Sequence, residues 1–122
     1  MGYSKYRNIK TGGCDSRKEA RRLAELRLLE RVGQIKDLRT QVAYELIPAQ
    51  YRTYERYSKT GKRLKDGVKL IERKCEYVAD FVYTIAETGE NVVEDTKGVR
   101  TADYKIKRKL MLAVHGIIIK ET

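Results

Sequence analysis

The stretch Val92-Val93-Glu94-Asp95-Thr96-Lys97-Gly98 constrains this chain more than any other. It starts as a short central β-strand and then turns ionic, with two β-branched residues followed by two acids, a threonine, a lysine and a glycine stop. Side chains alternate across a strand, so Val93, Asp95 and Lys97 are expected on one face and Glu94 and Thr96 on the other. A carboxylate and an ammonium two residues apart on a mostly buried strand are costly to desolvate unless they are paired or bind something charged. A metal held by the carboxylate, beside a phosphate held by the lysine, accounts for both.

A further acid lies upstream. Cys75 to Tyr83 is a strong strand run of β-branched and aromatic residues, with Asp80 in its apolar middle. Glu87-Thr88-Gly89-Glu90-Asn91 reads as a turn, so the two strands are expected to pair as a hairpin that brings Asp80 beside Asp95. Converging carboxylates repel, which raises one pKa unless a cation intervenes, and oxygen-only ligands favour a hard ion such as Mg²⁺.

The 122 residues carry a formal net charge of +10 and are expected to form a single domain. That excess favours a polyanionic partner, most simply nucleic acid, although charge alone also fits a merely soluble basic protein. No apolar run is long enough to span a membrane, and Met1 to Tyr6 resembles neither a signal peptide nor a myristoylation motif. Cys14 and Cys75 form no CxxC and His115 is the sole histidine, so no zinc site is expected, and a reducing cytoplasm is the expected compartment.

Residues 1–13 read as a basic arm without hydrophobic period. A helix is expected from Asp15 to about Val32, with Leu23, Leu26 and Leu29 in its apolar stripe and Ala20 and Val32 extending it. Ser16-Arg17-Lys18-Glu19 matches a capping box. Glu19 then either reaches back to the Ser16 N–H or, lying on the core-facing side, serves as a third metal ligand. Gln34 to Ile47 reads as a strand with a bulge or bend, ended by Pro48, and Gln41 within it is either solvated or lines the site. Residues 49–67 predict a protruding basic, tyrosine-rich hairpin whose second arm runs on through Val68, Leu70 and Ile71 into the Asp80 strand. Its tyrosines, set among Arg52, Arg56 and several lysines, suit either nucleic acid or a solvated sheet edge. A second helix is expected from Thr101 to about His115, with Ile106, Leu110 and Ala113 as its stripe, widened by Met111 and Val114. Lys105, Lys107, Arg108 and Lys109 crowd its first half against the helix dipole, which suggests a grip on phosphates or a solvated basic face. Tyr104 either hydrogen-bonds a phosphate or packs. Gly116 ends the helix, and Ile117-Ile118-Ile119 reads as a final buried strand.

The order helix, strand, strand, strand, helix, strand, with an acid on the first helix and Asp80 and Asp95-Thr96-Lys97 on the central hairpin, resembles the PD-(D/E)XK or restriction-endonuclease-like nuclease superfamily. More narrowly, the chain is similar to a small phage and prophage family within it. The matching segments are Lys5-Tyr6-Arg7-Asn8, Asp15 to Ala20, Ile35-Lys36-Asp37-Leu38, Ala79 to Tyr83, Val93 to Gly98 and Tyr104 to Lys107, and together they span nearly the whole chain. Ala79 stands where the name-giving proline would be.

The resemblance implies an α/β fold with a central mixed four-stranded sheet flanked by helices. It implies metal-dependent hydrolysis of DNA phosphodiester bonds, possible on branched or otherwise structured DNA, inside a bacterial host cell. Glu19, Asp80, Asp95 and Lys97 take the catalytic positions. Asp80, Asp95, Glu19 and Thr96 would hold Mg²⁺, with Mn²⁺ able to substitute, and no small-molecule cofactor is implied. Lys97 would orient water and offset charge, since an ordinary lysine, with a pKa of about 10.4, is a poor proton acceptor. DNA contacts are expected from Lys105, Lys107, Arg108, Tyr104, Arg17, Lys18, Arg52 and Arg56. Two other readings stay open: a junction resolvase acting as a homodimer, and a non-catalytic DNA-binding recombination accessory protein.

Overall fold

The computed structural model describes residues 16–122. The N-terminal arm, including Lys5 to Asn8, Cys14 and Asp15, lies outside the described residues. The chain runs α1 (Arg17–Arg31), β1 (Ile35–Ile47), β2 (Gln50–Tyr57), β3 (Arg63–Glu72), β4 (Cys75–Ile85), β5 (Asn91–Asp95), α2 (Ala102–His115) and β6 (Lys120–Glu121). The fold is α/β. Strands β1, β4, β5 and β6 form one mixed sheet in that order, antiparallel except for the β5–β6 pair. Strands β2 and β3 form a separate two-stranded hairpin.

Ser16 caps α1 as its sequence suggests, its side chain accepting the Glu19 N–H at 3.1 Å. Leu23 and Leu26 drive the helix onto one face of the sheet, where they cluster with Ile35, Phe81 and Tyr83. The opposite face carries the second cluster, in which Leu46, Tyr77, Ala79, Val82 and Val93 meet Tyr104 and Met111 of α2 and Ile119. Tyr77 and Ala79 lie on the α2 side while Phe81, an even number of residues further on, lies on the α1 side. Strict alternation forbids that, so the inward phase of β4 changes around Asp80. The neighbouring strand bends at the same level, for Gln41 takes a φ of 53° there. A register shift between Lys36 and Arg39, with Asp37 at φ 57°, adds the bulge expected in β1.

Three expectations need correction. The exposed hairpin extends over Gln50–Glu72, and its second arm does not run on into the Asp80 strand, since β3 and β4 belong to different sheets. Of the stripe anticipated in α2, Met111 is buried and Leu110 packs on the core as expected, but Ile106, Ala113 and Val114 are exposed and Tyr104 is buried in their stead. The helix has turned so that Tyr104 packs near Tyr77 and donates to Glu121. The final strand is not Ile117–Ile119. Gly116 closes α2 in the left-handed conformation at φ 68°, Ile118 is 79% exposed, and only Lys120 and Glu121 pair with β5.

Candidate active site

The β4–β5 register, Phe81 opposite Glu94 and Val82 opposite Val93, continues so as to set Asp80 alongside Asp95. The Thr96 N–H donates to Asp80 Oδ2 at 2.9 Å. Asp95 is fully buried, and its Oδ2 accepts the Tyr77 hydroxyl proton. Its Oδ1 has no hydrogen bond among the described residues, although Lys97 Nζ stands 3.4 Å away. Lys97 Nζ also lies 4.7 Å from the centre of the Tyr104 ring, a cation–π contact that fixes its direction. The turn after β5 is pinned from two sides: Thr122 N–H donates to Asp95 O at 2.9 Å, and Lys18 Nζ donates to Lys97 O at 3.2 Å.

Glu19 projects from the first turn of α1 toward the same place, and its charge bears on Asp80. Burial pushes the Asp80 carboxyl up to about 7, helped by the Asp95 and Glu19 carboxylates and opposed by the Thr96 hydrogen bond. Burial and the Asp95 hydrogen bond also raise the Tyr77 hydroxyl, so that it stays a donor.

Alternation sends Glu94 to the α1 side, where it is fully buried. Arg22 clasps it with two guanidinium nitrogens, and Tyr83 donates to Oε1 at 2.7 Å. Burial alone would raise the Glu94 carboxyl, but the Arg22 and Tyr83 hydrogen bonds hold it below the ordinary value. Glu94 is thus neutralised separately from the Asp80–Asp95 pair. Arg22 and Tyr77 were not anticipated. Arg22 was in reach of sequence reasoning, because it follows Glu19 by three residues on the same helix face.

The remaining expected residues are scattered around this centre. Thr96 is buried, its amide on Asp80 and its hydroxyl 3.0 Å from that of Thr122. Gln41 is exposed, and its place in β1 lies between the residues that pair with Ala79 and Phe81, across from Asp80. Tyr104 is 5% exposed with its hydroxyl on Glu121, so it packs inside the fold. Arg108 pairs with the same carboxylate at 3.2 Å. Glu121 is held down at about 2 by the Tyr104 hydrogen bond, with Arg100 and Arg108 assisting. Lys105 is exposed on α2 and Lys107 is half-buried there; Arg17 and Lys18 are exposed on α1, and Arg52 and Arg56 on the hairpin. A cavity of about 430 Å³ is lined by Lys18, Arg21, Arg22, Lys120 and Thr122 with Glu25 and Thr96, so a mostly positive depression lies next to the residue whose amide holds Asp80.

The family model for DUF1064, described as a protein of unknown function, matches residues 3–117. The chain belongs to the DUF1064 family. No curated protein and no solved structure matches it.

The donor chemistry of the DUF1064 site fits a hard divalent cation. Asp80 and Asp95 offer oxygens only, and Asp95 Oδ1 is buried without a hydrogen bond among the described residues. Among the described residues no three His, Cys, Asp or Glu side chains form a ready metal cage, so the fit rests on this pair. Mg²⁺ is commonly held by one or two carboxylates, with waters and substrate phosphates completing its shell.

Proposed function

We propose that this protein is a metal-dependent endodeoxyribonuclease built on a restriction-endonuclease-like arrangement of its mixed sheet. The observation that carries the reading is the convergence of Asp80 and Asp95 beside Lys97, with Asp80 raised to about 7 by burial and by neighbouring carboxylates. A buried acid pair next to a lysine is a costly arrangement for a purely structural purpose.

Asp80 and Asp95 would hold Mg²⁺ or Mn²⁺, with Glu19 adding negative charge and Thr96 fixing Asp80 through its amide. Bound there, the cation supplies Lewis-acid polarisation of the scissile phosphate and acidifies a water. Lys97 donates to the attacking water and offsets the charge that grows on the phosphoryl oxygens. The water oxygen bonds to phosphorus as the bond to the departing oxygen breaks; the attacking water gives up a proton to solvent and the departing oxygen takes one from solvent, leaving one phosphate end and one hydroxyl end. Tyr77 holds Asp95 in orientation. Lys18, Arg21 and Lys120 line a depression suited to a neighbouring backbone phosphate. Action in the cytoplasm of a bacterial host belongs to the same proposal.

The test is cleavage of a labelled four-way junction, the matched duplex and a single strand, in Mg²⁺ or Mn²⁺ and in EDTA. Metal-dependent cutting is expected, reduced at least about 10²-fold by Lys97→Ala and abolished by Asp80→Asn in variants whose circular dichroism matches the parent. Salt-sensitive binding without cutting at any metal concentration would point to a DNA-binding accessory protein instead. A concentration-dependent dimer with a preference for junctions would select the resolvase form.

A further inference from the structure

The β2–β3 hairpin is exposed over most of its length, and an isolated two-stranded ribbon gains little from burying its own side chains. Tyr54 pairs across it with Gly67. A Cβ built on Gly67 would fall 2.3 Å from Tyr54 Cζ and 2.5 Å from its hydroxyl oxygen, so the ring lies directly against the glycine backbone. Gly67 is absent from the positive-φ residues, and what its lack of a side chain provides is room for that ring. Tyr54 is nonetheless 51% exposed. One side of the ring is therefore seated on the neighbouring strand and the other is open to solvent.

Two residues along the same face, Arg52 pairs across the hairpin with Lys69. Neither cation makes an ion pair among the described residues. Between residues 50 and 72 the sequence holds seven cations and three carboxylates, and Asp66 is already bound by Arg63. Arg52, Tyr54 and Lys69 border a depression of about 660 Å³ with Thr53, Val68 and Leu70, large enough for a nucleotide. The surplus positive charge opposes a second copy of the hairpin as occupant and favours a polyanion.

We propose that this face of the hairpin is a stacking platform for an unpaired nucleotide, with the base on Tyr54 and the flanking phosphates on Arg52 and Lys69. An aromatic face beside two cations without ion-pair partners among the described residues matches both halves of a nucleotide, whereas a paired base hides its faces in the duplex stack. The proposal rests on the nucleic-acid half of the function above and deepens it, and it does not depend on hydrolysis. Ile47 and Cys75 pair at the root of the hairpin, and Asp80 lies five residues along β4 from Cys75. At ~3.4 Å per residue that is about 17 Å, and Tyr54 lies seven residues beyond Ile47, a further ~24 Å along β2, so a strand seated on Tyr54 needs several nucleotides to reach the acidic pair. The favoured substrate is then DNA with unpaired nucleotides beside a duplex.

The experiment uses the full chain in EDTA, with fluorescence anisotropy of a labelled 12-nucleotide single strand, the same strand with abasic sites, and the 12-base-pair duplex. Tyr54→Leu is expected to weaken single-strand binding by about tenfold or more and to change duplex binding by less than about twofold, while Tyr54→Phe keeps the parent affinity. The abasic strand is expected to bind the parent no better than the intact strand binds Tyr54→Leu. Equal single-strand affinity for parent and Tyr54→Leu, equal loss on strand and duplex, or a dimer that Tyr54→Leu disperses would each overturn the platform. Strand binding through Tyr54 in a protein that never cuts would support the platform and sink the nuclease. Cutting by a protein indifferent to Tyr54 would do the reverse.

Discussion

Asp80 holds a proton that the unfolded chain has already given up. Its carboxyl releases near 7 in the fold against 3.8 ordinarily. Folding therefore takes up a proton between those values. The associated stability is fully present below the unfolded value and is lost as pH rises through the folded one. A divalent cation that binds the ionised pair relieves the same repulsion. Millimolar Mg²⁺ is thus expected to raise the melting temperature by roughly 3–6 °C at pH 8 and far less at pH 5. Asp80→Asn is expected to melt higher than the parent at pH 8 without metal and to ignore Mg²⁺. Scanning calorimetry decides this, and an equal Mg²⁺ response at both pH values, or one retained by Asp80→Asn, would remove the metal from the pair. Arg22 meets the opposite situation, because its partner Glu94 is fully buried and ionised. Arg22→Ala strands that charge and is expected to cost about 3–5 kcal/mol in urea unfolding, while Arg22→Ala with Glu94→Gln recovers a large part of the loss. A cost for the single variant below about 1 kcal/mol would show that solvent reaches Glu94 readily.

The elements differ in how much of their placement the sequence carries. The start of α1 was legible because a capping box and a leucine stripe coincide there, and the first turn then delivers Glu19 toward Asp80. In β5 the alternation of Val93, Glu94 and Asp95 sorted the acids correctly onto two faces, which made the Asp80, Asp95 and Lys97 grouping readable. In α2 the length and caps were legible and the rotation was not. Its sequence offers two helical stripes, Ile106 with Ala113 and Tyr104 with Met111, and the choice is made by Tyr77 and Glu121 from other elements. β6 misled because an apolar triplet advertises a strand, whereas the residues that pair are the polar Lys120 and Glu121. The bend at Gln41 carries no sequence mark, since a glutamine at φ 53° is sterically uncommon and is held there by the sheet around it. Arg22 escaped notice because, among the many basic residues of α1, only its position three residues after Glu19 marks it as turning inward.

At the scale of the whole molecule a few carboxylates are drawn inside, while most charges of both signs stay exposed. Asp80, Glu94 and Asp95 lie wholly or partly inside, neutralised by a proton, a guanidinium or an ammonium, and Glu121 is bound by Arg100 and Arg108. Among the described residues the exposed cations outnumber the exposed carboxylates, in keeping with the net charge of +10, and they present a positive surface to a polyanion. Two concentrations stand out: the hairpin, and the cavity of Lys18, Arg21 and Lys120 beside Thr96. If both grip phosphates, binding is driven by counterion release and must weaken steeply with salt. With about five phosphates engaged, duplex affinity in EDTA is expected to fall roughly 10²–10³-fold between 50 and 200 mM salt. Single substitutions Arg21→Ala, Lys120→Ala and Arg52→Ala are each expected to reduce the slope of log affinity against log salt by about one. Anisotropy titrations across that salt range measure both quantities. A slope unchanged by the two cavity substitutions but lowered by Arg52→Ala would confine the grip to the hairpin, leaving the acidic pair without phosphates beside it and removing the electrostatic reason for placing the scissile bond there.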